Sequence, residues 1–133
     1  MTTAERYRAA VERRDLDAVG ELLAPEIVFH SPVTFHPFIG RETVRRLLGE
    51  VIEVFEDFRF TDELATGGAH ALIFRAGVAG SDREIEGIDL LRFDADGLIA
   101  DFTVMLRPLS ALVPFAQAMG ERAQAAGLQP TRA

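Results

Sequence analysis

Asp89 lies between Ile88 and Leu90 in the stretch EGIDLLRFDADG, Glu86 to Gly97, which reads as a buried strand running into a turn. A carboxylate in that setting is costly unless it is paired, hydrogen-bonded or kept protonated. Held neutral it donates a hydrogen bond; ionised it accepts a proton. Either state is acid-base chemistry. Few other side chains here carry protons near neutral pH. Of the three histidines, His30 stands beside Ser31 in FHSPV at a strand end, while His36 and His70 read as loop residues. An imidazole titrates near about pH 6.5, so His30 and His36 are candidates for moving a proton. No histidine pair has the helical spacing of a metal site, and the chain has no cysteine, so no metal is implied. Ser31 has no recognisable nucleophile triad. The chain has no glycine-rich phosphate loop, so no cofactor is implied.

The elements that must position these groups follow from periodicity. Thr2 with Glu5 three residues on resembles a capping box, and Tyr7, Ala10 and Val11 share one helical face. Asp15 caps a second helix with Leu16, Val19, Leu22 and Leu23 inward, stopped by Pro25. EIVFHS is a short strand ending at Pro32, and PVTFHPFIG is a loop. From Arg41 to Asp57, the residues Val44, Leu47, Leu48, Val51, Ile52 and Phe55 repeat with helical spacing. The acidic side chains Glu50, Glu53, Glu56 and Asp57 read as its solvated face. Four strands follow: FRFTDEL, HALIFRAGVAG, REIEGIDLLRF and LIADFTVMLR, with DADG as a hairpin turn. A final helix runs from Leu109, with Pro114 tolerated if it lies in the first turn, and a loose tail is expected after about Gly127.

The order α-α-β-α-β-β-β-β-α predicts an α+β cone: three N-terminal helices packed on a curved mixed, mostly antiparallel sheet. Its mouth is a natural small-molecule pocket. The 133 residues fit a single domain spanning 1–133, with 48% apolar residues to build its core. A net charge of −7 disfavours nucleic acid. The start is unlike a signal peptide, and no apolar run has the roughly 20 residues of a membrane span. A cytoplasmic protein with no membrane partner is expected.

The last hairpin is apolar on both faces. With Asp89 inward, Gly87, Leu91 and Phe93 share its face, as do Phe102, Val104 and Leu106 on the returning strand. Ile88, Leu90, Thr103 and Met105 point the other way. A sheet with one solvated face alternates apolar with polar, so the second face is expected to meet another subunit in a homodimer, or else to lie under the C-terminal helix.

Element order, length and the hairpin GIDLLRFDADGLI resemble the NTF2-like superfamily, in its SnoaL-like and ketosteroid-isomerase-like branch, over about residues 3 to 120. In those isomerases an aspartate two residues before a Met/Leu-Arg-Phe triplet stays protonated and donates to a dienolate oxygen; Asp89 falls on it. A tyrosine eight residues before the aspartate that opens the second helix is the second donor; Tyr7 and Asp15 have that spacing, and Tyr7 is the chain's one tyrosine. The isomerase base, an aspartate before a proline, is replaced by Ser31. Cyclases of the SnoaL kind pair an aspartate with a histidine, which Asp89 and His30 imitate. Related epoxide hydrolases need a late aspartate where Val104 stands, which weakens that activity.

The resemblance implies cofactor-independent proton-transfer chemistry, isomerase or cyclase, on a hydrophobic cyclic carbonyl compound. Tyr7, Asp89 and His30 would be catalytic, and Ser31, His36, Phe55, Leu91, Phe102 and Val104 would contact the substrate. The alternative is a non-catalytic binding module holding a hydrophobic small molecule in the same cone.

Overall fold

Thr2 caps the first helix through its hydroxyl, which accepts from the Glu5 N–H at 3.1 Å. The computed structural model describes residues 1–131. Helix α1 spans Thr3–Glu12 and buries Ala4, Tyr7 and Ala10. Asp15 caps α2 (Leu16–Glu21) by accepting from Ala18 N–H at 3.1 Å. This second helix ends earlier than Pro25 alone suggests: Leu23 already belongs to strand β1 (Leu23–His30). Pro25 sits exposed inside β1, where its missing N–H costs no buried hydrogen bond. The loop before Arg41 contains a two-residue strand, β2 (Phe38–Ile39), too short to show a period.

Helix α3 covers Arg41–Val54 and buries Val44, Leu47, Leu48 and Val54. It stops three residues short of the expected Asp57, because Phe55 turns into the extended region and opens β3 (Phe55–Ala65). Strands β4 (Ala69–Val78), β5 (Glu84–Phe93) and β6 (Ile99–Arg107) follow as a meander. In the β5–β6 turn, Asp94 Oδ1 accepts from the Asp96 and Leu98 N–H groups, and Gly97 takes φ 79°. Helix α4 (Leu109–Ala126) closes the chain. Pro114 lies in its second turn rather than its first. The tail is docked rather than loose as far as it is described: Leu128 is buried, and Thr131 N–H donates to Pro37 O at 2.6 Å. The last two residues of that expected tail lie outside the described residues.

The six strands form one sheet in the order β2-β1-β6-β5-β4-β3. Only the β1–β6 pair is parallel; the others are antiparallel. Register slips at two places between β3 and β4, each adding one residue to β3. Such bulges bend and twist a sheet, and here they curl it around the helices. The result is an α+β NTF2-like cone. Helix α4 packs on the concave side: Phe115 stacks on Phe55 with ring centroids 5.2 Å apart. It therefore leaves the convex face uncovered, where Ile88, Leu90 and Thr103 are half-buried and Met105 is exposed. Among the described residues, no helix is long and apolar enough to cross a membrane.

Candidate functional site

The concave face encloses a cavity of about 370 Å³ between the sheet, α1, α3 and α4. Its wall is mostly apolar, with Leu47, Leu48 and Val51 from α3 facing Phe55, Phe58 and Phe74 of the sheet. Tyr7 and Asp89 enter this wall from opposite sides. The inward stripe of α1 carries Tyr7, whose ring meets the edge of Phe102 at 5.6 Å. The pleat of β5 carries Asp89 inward, between its register partners Leu72 and Val104. Tyr7 Oη donates to Asp89 Oδ2 at 3.2 Å, and both residues are buried.

Burial governs the electrostatics of this pair. Removal from water pushes the Asp89 carboxyl up to about 7, against the opposing pull of the hydrogen bond from Tyr7. The Tyr7 hydroxyl is raised well above its ordinary value, first by burial and then by the Asp89 charge and hydrogen bond. Tyr7 thus stays a neutral donor, while Asp89 changes state near neutral pH. Two oxygens 3.2 Å apart leave room for a third about 2.7 Å from each. With Asp89 neutral, both hydroxyls are available to such an oxygen. With Asp89 ionised, the carboxylate donates nothing and holds the Tyr7 proton itself.

A second contact fixes the helix that carries Tyr7. Arg8 pairs with Glu63 of β3, which also accepts from His70 Nε2 at 2.9 Å. The Arg8 guanidinium also lies over the Phe60 ring at 5.4 Å from its centroid. These contacts tie α1 to the β3–β4 hairpin one residue from Tyr7.

The other expected site residues divide. Ser31, Phe55 and Val104 line the cavity with Tyr7 and Asp89. The Ser31 hydroxyl accepts from Val33 N–H at 3.0 Å, shaping the loop at the rim. His30 does not reach the cavity. Its strand neighbour Phe29 faces inward, so the pleat turns His30 to the convex face. There its Nε2 meets Asp101 Oδ2 at 3.1 Å. His36 is exposed in the loop, against the edge of Phe35. Leu91 and Phe102 are fully buried but do not line the cavity; Phe102 instead supports Tyr7 and Phe29 from behind. The Asp89–His30 pairing suggested by cyclases is therefore not formed.

Asp57 was hidden in the sequence by the apparent acidic face of the third helix, yet it lines the cavity. Phe115 and Met119 of α4 do so as well. Neither stands out in the sequence, because apolar residues at helical spacing do not tell core from cavity. Among the described residues, no cluster of His, Asp or Glu is arranged to hold a metal ion.

A curved sheet closed by helices over an apolar cavity, with a buried Tyr–Asp pair in its wall, defines an NTF2-like protein. The SnoaL-like domain model matches residues 4–102, and the chain belongs to that family. A steroid delta-isomerase from Pseudomonas aeruginosa is 40% identical to it, with TM-score 0.87 over 96% of this chain and 93% of that one. A protein with a cystatin-like fold from Silicibacter pomeroyi DSS-3 is 30% identical, with TM-score 0.88 over 94% of this chain and 87% of that one. A putative ketosteroid isomerase from Kribbella flavida DSM 17836 shares the fold at 22% identity, with TM-score 0.64 over 80% of this chain and 76% of that one. No curated protein matches the chain.

Proposed function

We propose that the cavity binds a hydrophobic, cyclic, carbonyl-bearing molecule and moves a proton on the carbon beside the carbonyl, as an isomerase or cyclase that uses no cofactor. The observation that carries this reading is the buried Tyr7–Asp89 pair in an apolar wall. Preorganised donors in a water-poor site stabilise the negative charge that grows on a carbonyl oxygen as its α-proton leaves. The 40% identical steroid delta-isomerase agrees with chemistry of this class. Exchange of the α-protons of 2-tetralone in heavy water, followed by proton NMR, tests it. The wild type is expected to accelerate exchange over buffer, and Tyr7→Phe and Asp89→Ala to slow it. Exchange at the buffer rate would favour the second reading.

That second reading is a binding module that holds such a ligand without reacting it. Two observations favour it: Ser31 stands where a proton-abstracting carboxylate is expected, and neither His30 nor His36 lines the cavity. In that case wild-type protein binds the ketone without exchanging its protons, and Ser31→Asp gains exchange.

The protein acts as a homodimer in this proposal. The convex face offers Ile88, Leu90 and Met105, with Thr103 beside Leu90, as a mostly apolar centre, flanked at its Glu84–Glu86 end by Arg59, Arg75 and Arg107 paired with Glu84 and Glu86. A centre of that kind with both charge signs at its rim suits a second copy related by a two-fold axis.

A further inference from the structure

Asp57 occupies an unusual place in β3. Between the pairs Glu56–Gly77 and Arg59–Arg75, β3 advances three residues while β4 advances two. The extra residue makes a bulge, and Asp57 takes φ 51° there, the left-handed position a glycine usually fills in such a bulge. Asp57 and the next residue, Phe58, both line the cavity, which a regular pleat forbids. The bulge sets Asp57, an exposed residue, at the solvent edge of the cavity wall beside Phe58.

The other ionisable groups on the cavity wall are engaged. Tyr7 and Asp89 bind each other at 3.2 Å. Glu12 pairs with Arg8 at 3.7 Å. Arg14, which cannot act as a base, contacts Ile52 O at 3.5 Å and Glu53 at 3.6 Å. Among the described residues, the Asp57 carboxyl makes no hydrogen bond or ion pair; only its backbone carbonyl is used, by Arg59.

We propose that Asp57 is the general base of the cavity. This rests on the proton-transfer reading above and supplies the group that Ser31 lacks. The Asp57 carboxylate takes a proton from the carbon beside the substrate carbonyl. The C–H electron pair becomes a C=C bond, and the carbonyl π pair moves onto oxygen, where Tyr7 and neutral Asp89 donate to it. Returning the same proton from Asp57 to the γ carbon of an unsaturated ketone completes an isomerisation with no co-reactant. The substrate class is a flat bicyclic or larger ketone, whose oxygen meets Tyr7 and Asp89 and whose edge passes Asp57.

The test compares wild type with Asp57→Asn in two measurements. Asparagine also tolerates the left-handed region, so it keeps the bulge and removes only the base. The first measurement is α-proton exchange of 2-tetralone in heavy water; the second is binding of 2-acetylnaphthalene, a ketone of similar size. Asp57→Asn is expected to slow exchange by about 10²-fold or more, the usual contribution of a general base, with binding within about twofold of wild type. Wild-type exchange retained in Asp57→Asn overturns the assignment of Asp57 and leaves the proton-transfer reading standing. Equal losses of exchange and binding also overturn it, because Asp57 then only shapes the cavity. If the wild type binds the ketone but exchanges at the buffer rate, the proton-transfer reading falls and the base with it.

Discussion

A buried carboxyl whose single side-chain partner is a tyrosine hydroxyl makes stability depend on pH in a direction opposite to a salt-bridged one. Asp89 has an ordinary value of 3.8 and is pushed up to about 7 in the folded protein. Between those pH values the unfolded chain has lost the proton that the folded chain still holds. Stability is therefore full below about pH 4, falls as pH rises towards 7, and is level above, with a total loss on the order of a few kcal/mol. Asp89→Asn lacks this titration. Urea unfolding should show Asp89→Asn gaining on wild type from pH 4 to pH 8 by that order; a difference independent of pH would mean that Asp89 is ionised in the folded state throughout. At this scale the sequence was generous: an aspartate between Ile88 and Leu90, and a tyrosine at the right spacing from Asp15, were both visible and do meet. His30 was misplaced because one residue of pleat decides which face a side chain takes, and the approach of Pro32 gave no sign of which way it fell. Asp57 was invisible because a left-handed residue leaves no periodic trace.

Gly87 shows what the strands must do to hold the pair. It lies two residues before Asp89 on the same inward face, and a Cβ there would come within 2.3 Å of Phe74 Cζ and 2.7 Å of Leu106 Cδ2. The Phe74 ring occupies the space a side chain would take, and it is part of the cavity wall. Gly87→Ala should therefore cost about 1–3 kcal/mol as an overpacked core, read as a lower urea midpoint, and should weaken ketone binding as Phe74 moves. A variant as stable as wild type that binds the ketone equally well would show that Phe74 swings aside freely. The element order and five of the six strands were legible because alternation and turn residues agree with one another. β2 was missed because two residues carry no pattern. The end of α3 was overrun because Phe55 continues the helical spacing by coincidence while its backbone has already become extended.

For the whole molecule, the convex face and the cavity make separate claims. The proposed dimer buries Leu90 at its centre, so Leu90→Lys should sediment as a monomer at concentrations where wild type sediments as a dimer; a monomeric wild type at micromolar concentration would leave that face without the proposed partner. The two-faced hairpin was readable from composition, yet one chain could not reveal that α4 folds to the concave side and leaves the convex one bare. The cone was legible because its element order and apolar patterns all lead to one layered arrangement; which residues line its hollow depends on depth and curvature, set by bulges that a sequence pattern does not display. The chemistry of the cavity rests on Tyr7 and neutral Asp89 donating together to one ligand oxygen. The carbonyl stretch of bound 2-acetylnaphthalene, recorded by infrared difference spectroscopy in wild type, Asp89→Asn and Asp89→Ala across pH 5 to 9, tests it most directly. A ketone only accepts, so its band should lie below its position in apolar solvent at pH 5. In wild type that shift should fade as pH rises through about 7, when Asp89 ionises and claims the Tyr7 proton. It should persist at all pH values in Asp89→Asn and shrink in Asp89→Ala. A wild-type band at the apolar position at every pH, or a shift indifferent to both pH and the alanine variant, would mean that Tyr7 and Asp89 do not donate together to the ligand.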